Sequence, residues 1–115
     1  VSAPFHSALM QPAAEAMAEA LAAVTLRAPS VPLVANVTAE PVSDPDAIRD
    51  LLVRQVTGSV RWRESVLRLA AEGVAEAWEI GQGKALSGMI RRTAPQIATR
   101  AVGTPEEARE AAASL

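Results

Sequence analysis

Between residues 74 and 102 the chain reads as strand, glycine turn, helix, strand, and this alternation limits the fold more than any other feature. The run 74–80 is β-rich and ends in Gly81-Gln82-Gly83-Lys84. A helix over 84–92 follows and closes on Arg91-Arg92, a basic pair that suits the negative end of the helix dipole. A short strand occupies 96–102. Strands joined through a helix pair in parallel, with the helix crossing over a face of the sheet.

The rest of the chain extends the pattern. Leu9, Met10, Ala13, Met17, Ala20, Leu21 and Val24 recur at three- and four-residue steps, so an amphipathic helix is expected over 8–24. Ser7 or His6 would cap it, and Pro12 falls in its first turn, where a missing N–H costs little. Pro29 bars its continuation. Residues 31–37 are apolar nearly throughout, as a strand buried on both faces would be, with Pro32 at its start. Asn36 is the polar exception, either a tie between strand end and loop or a pocket wall. Ser43-Asp44-Pro45-Asp46 opens the next helix: Asp44 caps, Pro45 takes the first position, and Asp46 suits the dipole. Ile48, Leu51, Leu52, Gln55 and Val56 share its inner face, with Arg49 and Arg54 towards the outside or the rim. Thr57-Gly58-Ser59 breaks the chain. A helix over 60–72 turns Trp62, Val66, Leu69 and Ala70 inward and stops at Gly73 in a left-handed conformation. Thr104-Pro105-Glu106-Glu107 is a capping box opening a last helix to about Ser114. The expected order is α-β-α-α-β-α-β-α. That is an α/β chain whose strands form one parallel sheet with helices on both faces.

Composition removes several classes of function. A length of 115 residues allows one core, and the 50% apolar share is ample, although aromatics supply only 3%. A net charge of −2 makes no case for nucleic acid or an anionic membrane. No apolar run approaches the roughly 20 residues that span a bilayer, and no signal-peptide pattern is present. With no cysteine and one histidine there is no disulfide, no thiol nucleophile and no basis for a metal site. A cytoplasmic protein is the default expectation.

Three stretches invite a chemical reading. Gly81-Gln82-Gly83-Lys84 completes neither phosphate-binding spacing and reads as a tight strand-to-helix turn. The pairs Asp44/Asp46 and Glu106/Glu107 lie in helix starts, where the dipole accounts for them. His6 remains. Imidazole is the side chain whose charge changes near neutrality. A histidine base needs a nucleophile on one nitrogen and an orienting acceptor on the other. Ser2 and Ser7 are close in sequence, but no Gly-x-Ser-x-Gly elbow occurs anywhere. A serine served by His6 would lie outside this chain.

The string Pro4-Phe5-His6-Ser7-Ala8-Leu9-Met10, with the helix after it, resembles the histidine segment of malonyl-CoA:acyl carrier protein transacylases and related acyltransferase domains. The likeness continues through residues 31–38, 48–56, Val60-Arg61-Trp62 and Glu79-Ile80-Gly81-Gln82-Gly83-Lys84. It departs at Gln82, where the family often has Pro, and at Ala85, where Val is common. Residues 1–115 therefore resemble the C-terminal portion of the family's large, α/β-hydrolase-like subdomain, as an incomplete domain lacking the ferredoxin-like small subdomain. The resemblance implies malonyl transfer from CoA, through a serine ester, to the phosphopantetheine thiol of acyl carrier protein, in fatty-acid or polyketide synthesis. It implies His6 as general base and the main-chain carbonyl of Gln55 as the acceptor that orients it. The side chain of Gln55 should then matter less than its backbone position. Phe5 would line the acyl site and disfavour an α-methyl group, a discrimination of about 1–3 kcal/mol. Alternatively it packs as a core anchor. No cofactor is implied, the CoA thioester being a substrate. The implied partners are acyl carrier protein, malonyl-CoA and the N-terminal portion of the same enzyme. The opening at Val1, in mid-motif and without Met, is read as the start of a piece. The isolated piece is expected to be inactive and to associate through its open sheet edge.

Two other readings stand beside this one. The chain could be a non-catalytic, acyltransferase-like module that binds acyl carrier protein through Arg54, Arg61, Arg63, Lys84, Arg91 and Arg92. It could also be a structural α/β domain in which His6 is incidental.

Overall fold

The computed structural model describes residues 4–115. Ser2 lies outside them. The chain divides into two units, Val1–Ser65 and Val66–Leu115.

In the first unit a 3-10 turn, Ala8–Met10, runs into α1, Gln11–Ala22, with Pro12 in the first turn. Neither Ser7 nor His6 caps α1. Ser7 precedes the 3-10 turn without a side-chain capping bond, and its hydroxyl donates instead to Pro4 O at 2.7 Å. α1 packs on α2, Pro45–Thr57. α1 contributes mainly alanine to this contact, and Ala14 is buried. Asp44 caps α2 as expected, its Oδ2 accepting from Ala47 N at 2.9 Å. Arg49 lies half-buried at the rim of α2. Its guanidinium donates to Leu21 O at 3.0 Å, a carbonyl near the end of α1 that also accepts from Val24 N at 3.2 Å.

The strand expected over 31–37 is much shorter. β1 is Leu33–Val34, paired antiparallel with β2, Pro41–Val42. Val31 is 70% exposed and Leu33 39%, so the run is not covered on both faces. The physical reason is the density of interruptions. Pro32 and Pro41 have no N–H to give a ladder, and at Ala35 the chain turns back. Ala39 N donates to Ala35 O at 2.8 Å, and Ala35 N to Glu40 O at 3.2 Å. Ala39 adopts φ 57° to close this loop.

α3, Trp62–Ala71, carries the fully buried Val66. It ends as its glycine foretold. Gly73 has φ +86°, Gly73 N donates to Ala70 O at 3.1 Å and Val74 N to Leu69 O at 3.0 Å. This double closure uses up carbonyls that the helix end would otherwise leave unpaired.

The second unit contains the expected parallel pair. β3, Glu76–Ile80, and β4, Ala98–Val102, run in register from Glu76↔Ala98 to Ile80↔Val102. α4, Ala85–Thr93, packs on both strands, and α5, Pro105–Ala113, packs on β4. Ile90, Ala94, Ile97, Val102 and Ala111 are buried. Thr104 caps α5 through Glu107 N at 3.1 Å, while the Glu107 carboxylate reaches back to Gly103 N at 3.3 Å, one residue beyond the standard reciprocal bond. Among the described residues the strands form two separate two-stranded sheets, and only β3–β4 is parallel. The single three-stranded parallel sheet is thus corrected: β1 pairs locally with β2, an element too short and too proline-marked to stand out.

Candidate active site

The site lies in the first unit and begins with a backbone feature. His6 has φ 60°, in the left-handed region that residues with a Cβ rarely occupy, although histidine is among those enriched there. Such a conformation costs on the order of 1–3 kcal/mol and persists only when its surroundings fix it. Here the fixing contacts are visible. The Ser7 hydroxyl bonds Pro4 O, and Met10 N donates to Ser7 O at 3.0 Å. The imidazole itself is held by α2: Nδ1 lies 2.8 Å from Gln55 O.

Helix geometry explains why that carbonyl is free. The last four C=O groups of a helix lack intrahelical partners. Gly58 N takes Arg54 O at 2.9 Å, and Gly58 then leaves the helix in extended conformation. Gln55 O is left for another donor. A carbonyl can only accept, so Nδ1 carries the hydrogen and Nε2 is the ring's basic nitrogen. The carboxyl end of α2 also places partial negative charge beside the ring.

The Gln55 side chain has a partner of its own. Asn36 Nδ2 donates to Gln55 Oε1 at 2.8 Å, and both residues are half-buried. Arg61 N donates to Asn36 O at 2.7 Å, and an Arg61 guanidinium nitrogen to Thr38 O at 3.2 Å. Asn36 is therefore a tie, though to the helix end beside His6, and it is also a pocket wall, lining a cavity of about 100 Å³ with Leu33, Ile48, Leu51 and Gln55.

Phe5 is 54% exposed and is not a core anchor within this unit. Its ring, His6, Met10, Met17 and Val56 border an apolar hollow of about 250 Å³. The structure thus brings Phe5, His6 and Gln55 together at the junction of the 3-10 turn and the end of α2. Ser7 points its hydroxyl away into Pro4.

The sequence reading missed one carboxylate. Glu79, in β3, accepts from Ser87 N and Ser87 Oγ, each at 2.8 Å, and from Leu86 N at 3.2 Å. These bonds, the Ser87 N–H foremost, hold its carboxyl below the usual glutamate range, against an opposing effect of burial. It is a cap supplied from a strand. The signal was Lys84, which occupies the N-cap of α4 with no capping bond of its own. Among the described residues no group of three or more His, Cys, Asp or Glu side chains could hold a metal ion, and no helix is long and apolar enough to cross a membrane.

The malonyl CoA-acyl carrier protein transacylase of Escherichia coli (strain K12) is 45% identical over 105 residues, which cover 91% of this chain and 34% of that protein. The crystal structure of acyl-carrier-protein-S-malonyltransferase from Bartonella henselae superposes with a TM-score of 0.90 at 55% identity, covering 99% of this chain and 36% of that one. Malonyl CoA-acyl carrier protein transacylases are homologues of this chain. A third transacylase, solved with the type II polyketide acyl-carrier protein AntF, gives a TM-score of 0.88 at 36% identity, covering 100% of this chain and 37% of that one. No protein-family model matches the chain. The chain spans about a third of the length of the transacylases it matches, and over that third it shares their α/β fold.

Proposed function

We propose that this chain is the C-terminal portion of the large subdomain of a malonyl transacylase and supplies its general base. His6 Nε2 takes the proton of a serine hydroxyl located on the remainder of the enzyme, and the serine oxygen attacks the malonyl thioester. The carbon–sulfur bond breaks, and the imidazolium returns its proton to the CoA thiolate. In the second half the phosphopantetheine thiol of acyl carrier protein gives its proton to His6 and attacks the serine ester. The serine takes the proton back as the malonyl thioester leaves. Gln55 O holds Nδ1–H throughout, which keeps the basic electron pair on Nε2. A neutral carbonyl does this without adding a buried charge. Phe5 borders the acyl site. The chemistry calls for no cofactor. The serine elbow and the ferredoxin-like subdomain belong to the missing N-terminal portion, without which the chain is inactive. A cytoplasmic location suits the pathway.

The observation that carries this reading is the 2.8 Å contact between His6 Nδ1 and Gln55 O, made by a histidine held at φ 60°. The test combines this chain with the remainder of the enzyme and follows malonyl transfer to acyl carrier protein. Replacing His6 by Gln should slow transfer by about 10²–10⁴-fold, the usual range for removal of a general base. Equal rates for wild type and variant would refute the assignment. Carrier-protein binding without any transfer would instead favour the non-catalytic module.

A further inference from the structure

We infer that Asn36 is a positioning residue for His6, acting through the side chain of Gln55. The inference rests on the reading of His6 as the base.

The resemblance singled out only the main-chain carbonyl of Gln55. The structure gives its side chain a partner as well, and that changes what holds the base. Gln55 O belongs to the last turn of α2, where helices fray. Three residues later, at Gly58, the chain has left the helix. A carbonyl at a frayed end wanders, and the imidazole bound to it would wander too. Pinning Gln55 by its other polar group removes that freedom. The Asn36 Nδ2 to Gln55 Oε1 bond does so at 2.8 Å.

Asn36 can serve as a fixed point because its own backbone is pinned. Its carbonyl accepts from Arg61 N at 2.7 Å. It follows Ala35, whose carbonyl and N–H both close the tight 35–40 loop. The path from fixed loop to ring is therefore Asn36, Gln55, His6, with each link made by a hydrogen bond of 2.8 Å. Both groups of the amide pair are half-buried, so leaving either unpaired carries a desolvation cost that favours the closed arrangement.

The pair sets direction as well as position. With Nδ1–H held on Gln55 O, the neutral ring is kept in the Nδ1–H tautomer, the form in which Nε2 can accept a proton. Loosening Gln55 lets the ring revert towards the Nε2–H form, which cannot act as base at that atom. Supporting residues of this kind, once removed, typically cost about 10- to 100-fold in activity.

The experiment uses this chain together with the remainder of the enzyme. Asn36→Ala and Gln55→Leu each delete one side of the amide pair and keep the Gln55 main-chain carbonyl. Each should lower kcat for malonyl transfer about 10- to 100-fold with little change in KM, and the double variant should lose no more than the worse single. ¹⁵N NMR of the imidazole, assigned with His6→Gln, should show the fraction of Nδ1–H tautomer falling in both variants. Wild-type kcat and tautomer in Asn36→Ala would overturn the inference, as would strictly additive losses in the double variant. Unfolding of both single variants would overturn it too, since the pair would then be a structural clamp only. If His6→Gln itself transfers at the wild-type rate, the base assignment has failed; if only the Asn36 and Gln55 variants do, the positioning role alone has.

Discussion

Replacing Gly58 by alanine tests the geometry that frees the Gln55 carbonyl. Gly58 has φ −89° and ψ 157°, values open to any residue, so alanine meets no backbone penalty there. The penalty is contact. A Cβ would sit 2.9 Å from Arg54 O and 2.9 Å from Val37 Cγ1. The first neighbour is backbone and belongs to the helix turn next to Gln55 O. The second is a β-branched side chain with few rotamers to retreat into. Overpacking of this degree costs about 1–3 kcal/mol, and the stiffer unfolded chain of a Gly→Ala variant returns about 0.4–1 kcal/mol. The net expectation is destabilisation of roughly 1–2 kcal/mol. Denaturant unfolding of the assembled protein measures it: the midpoint should fall with the slope unchanged. Val37→Ala in the same background should restore part of the loss, because it clears one neighbour and leaves Arg54 O in place. A neutral or stabilising Gly58→Ala would refute the account of how α2 ends. So would full restoration by Val37→Ala, which would mean that the backbone contact carries no weight.

Two further outcomes concern the caps. Glu79 holds a carboxyl pKa below its ordinary value through the amides and hydroxyl at the start of α4. Its contribution to stability is therefore complete above the ordinary glutamate pKa and drains away as pH falls through the lowered folded value. Glu79→Gln should be less stable near neutrality and should show a shallower loss of unfolding free energy on acidification; parallel curves for the two proteins would count against the cap. Asp44→Ala removes the one side-chain bond to Ala47 N and should cost about 1 kcal/mol in thermal or denaturant unfolding. No measurable change would mean that Pro45 and packing alone start α2.

What could be read from residues alone divides by the range of the interaction. Asp44, Thr104 and Gly73 act within a few positions of themselves, and the structure puts each in its expected role. The run 31–37 was misjudged because apolar character reports a preference for burial and not the presence of anything to bury against. Val31 finds no cover, and two prolines cut the ladder down to two residues on each side. The Glu79 cap escaped for the converse reason: the acid lies in a strand, where no capping pattern looks for it.

The site sits at the far end of this scale. His6 and Gln55 are 49 residues apart, and no spacing rule links them; family likeness pointed to the pair, and likeness carries only what a family's motif records. It therefore assigned the carbonyl and set the side chain aside. The bond from Asn36 joins two amides separated by 19 positions and is visible only once both are placed in space. A main-chain contact is indifferent to side-chain identity only if something else fixes the main chain. At the last turn of α2 that something is the side chain, so the polar residue in the otherwise apolar run 31–37 and the glutamine on an otherwise apolar helix face have one common explanation.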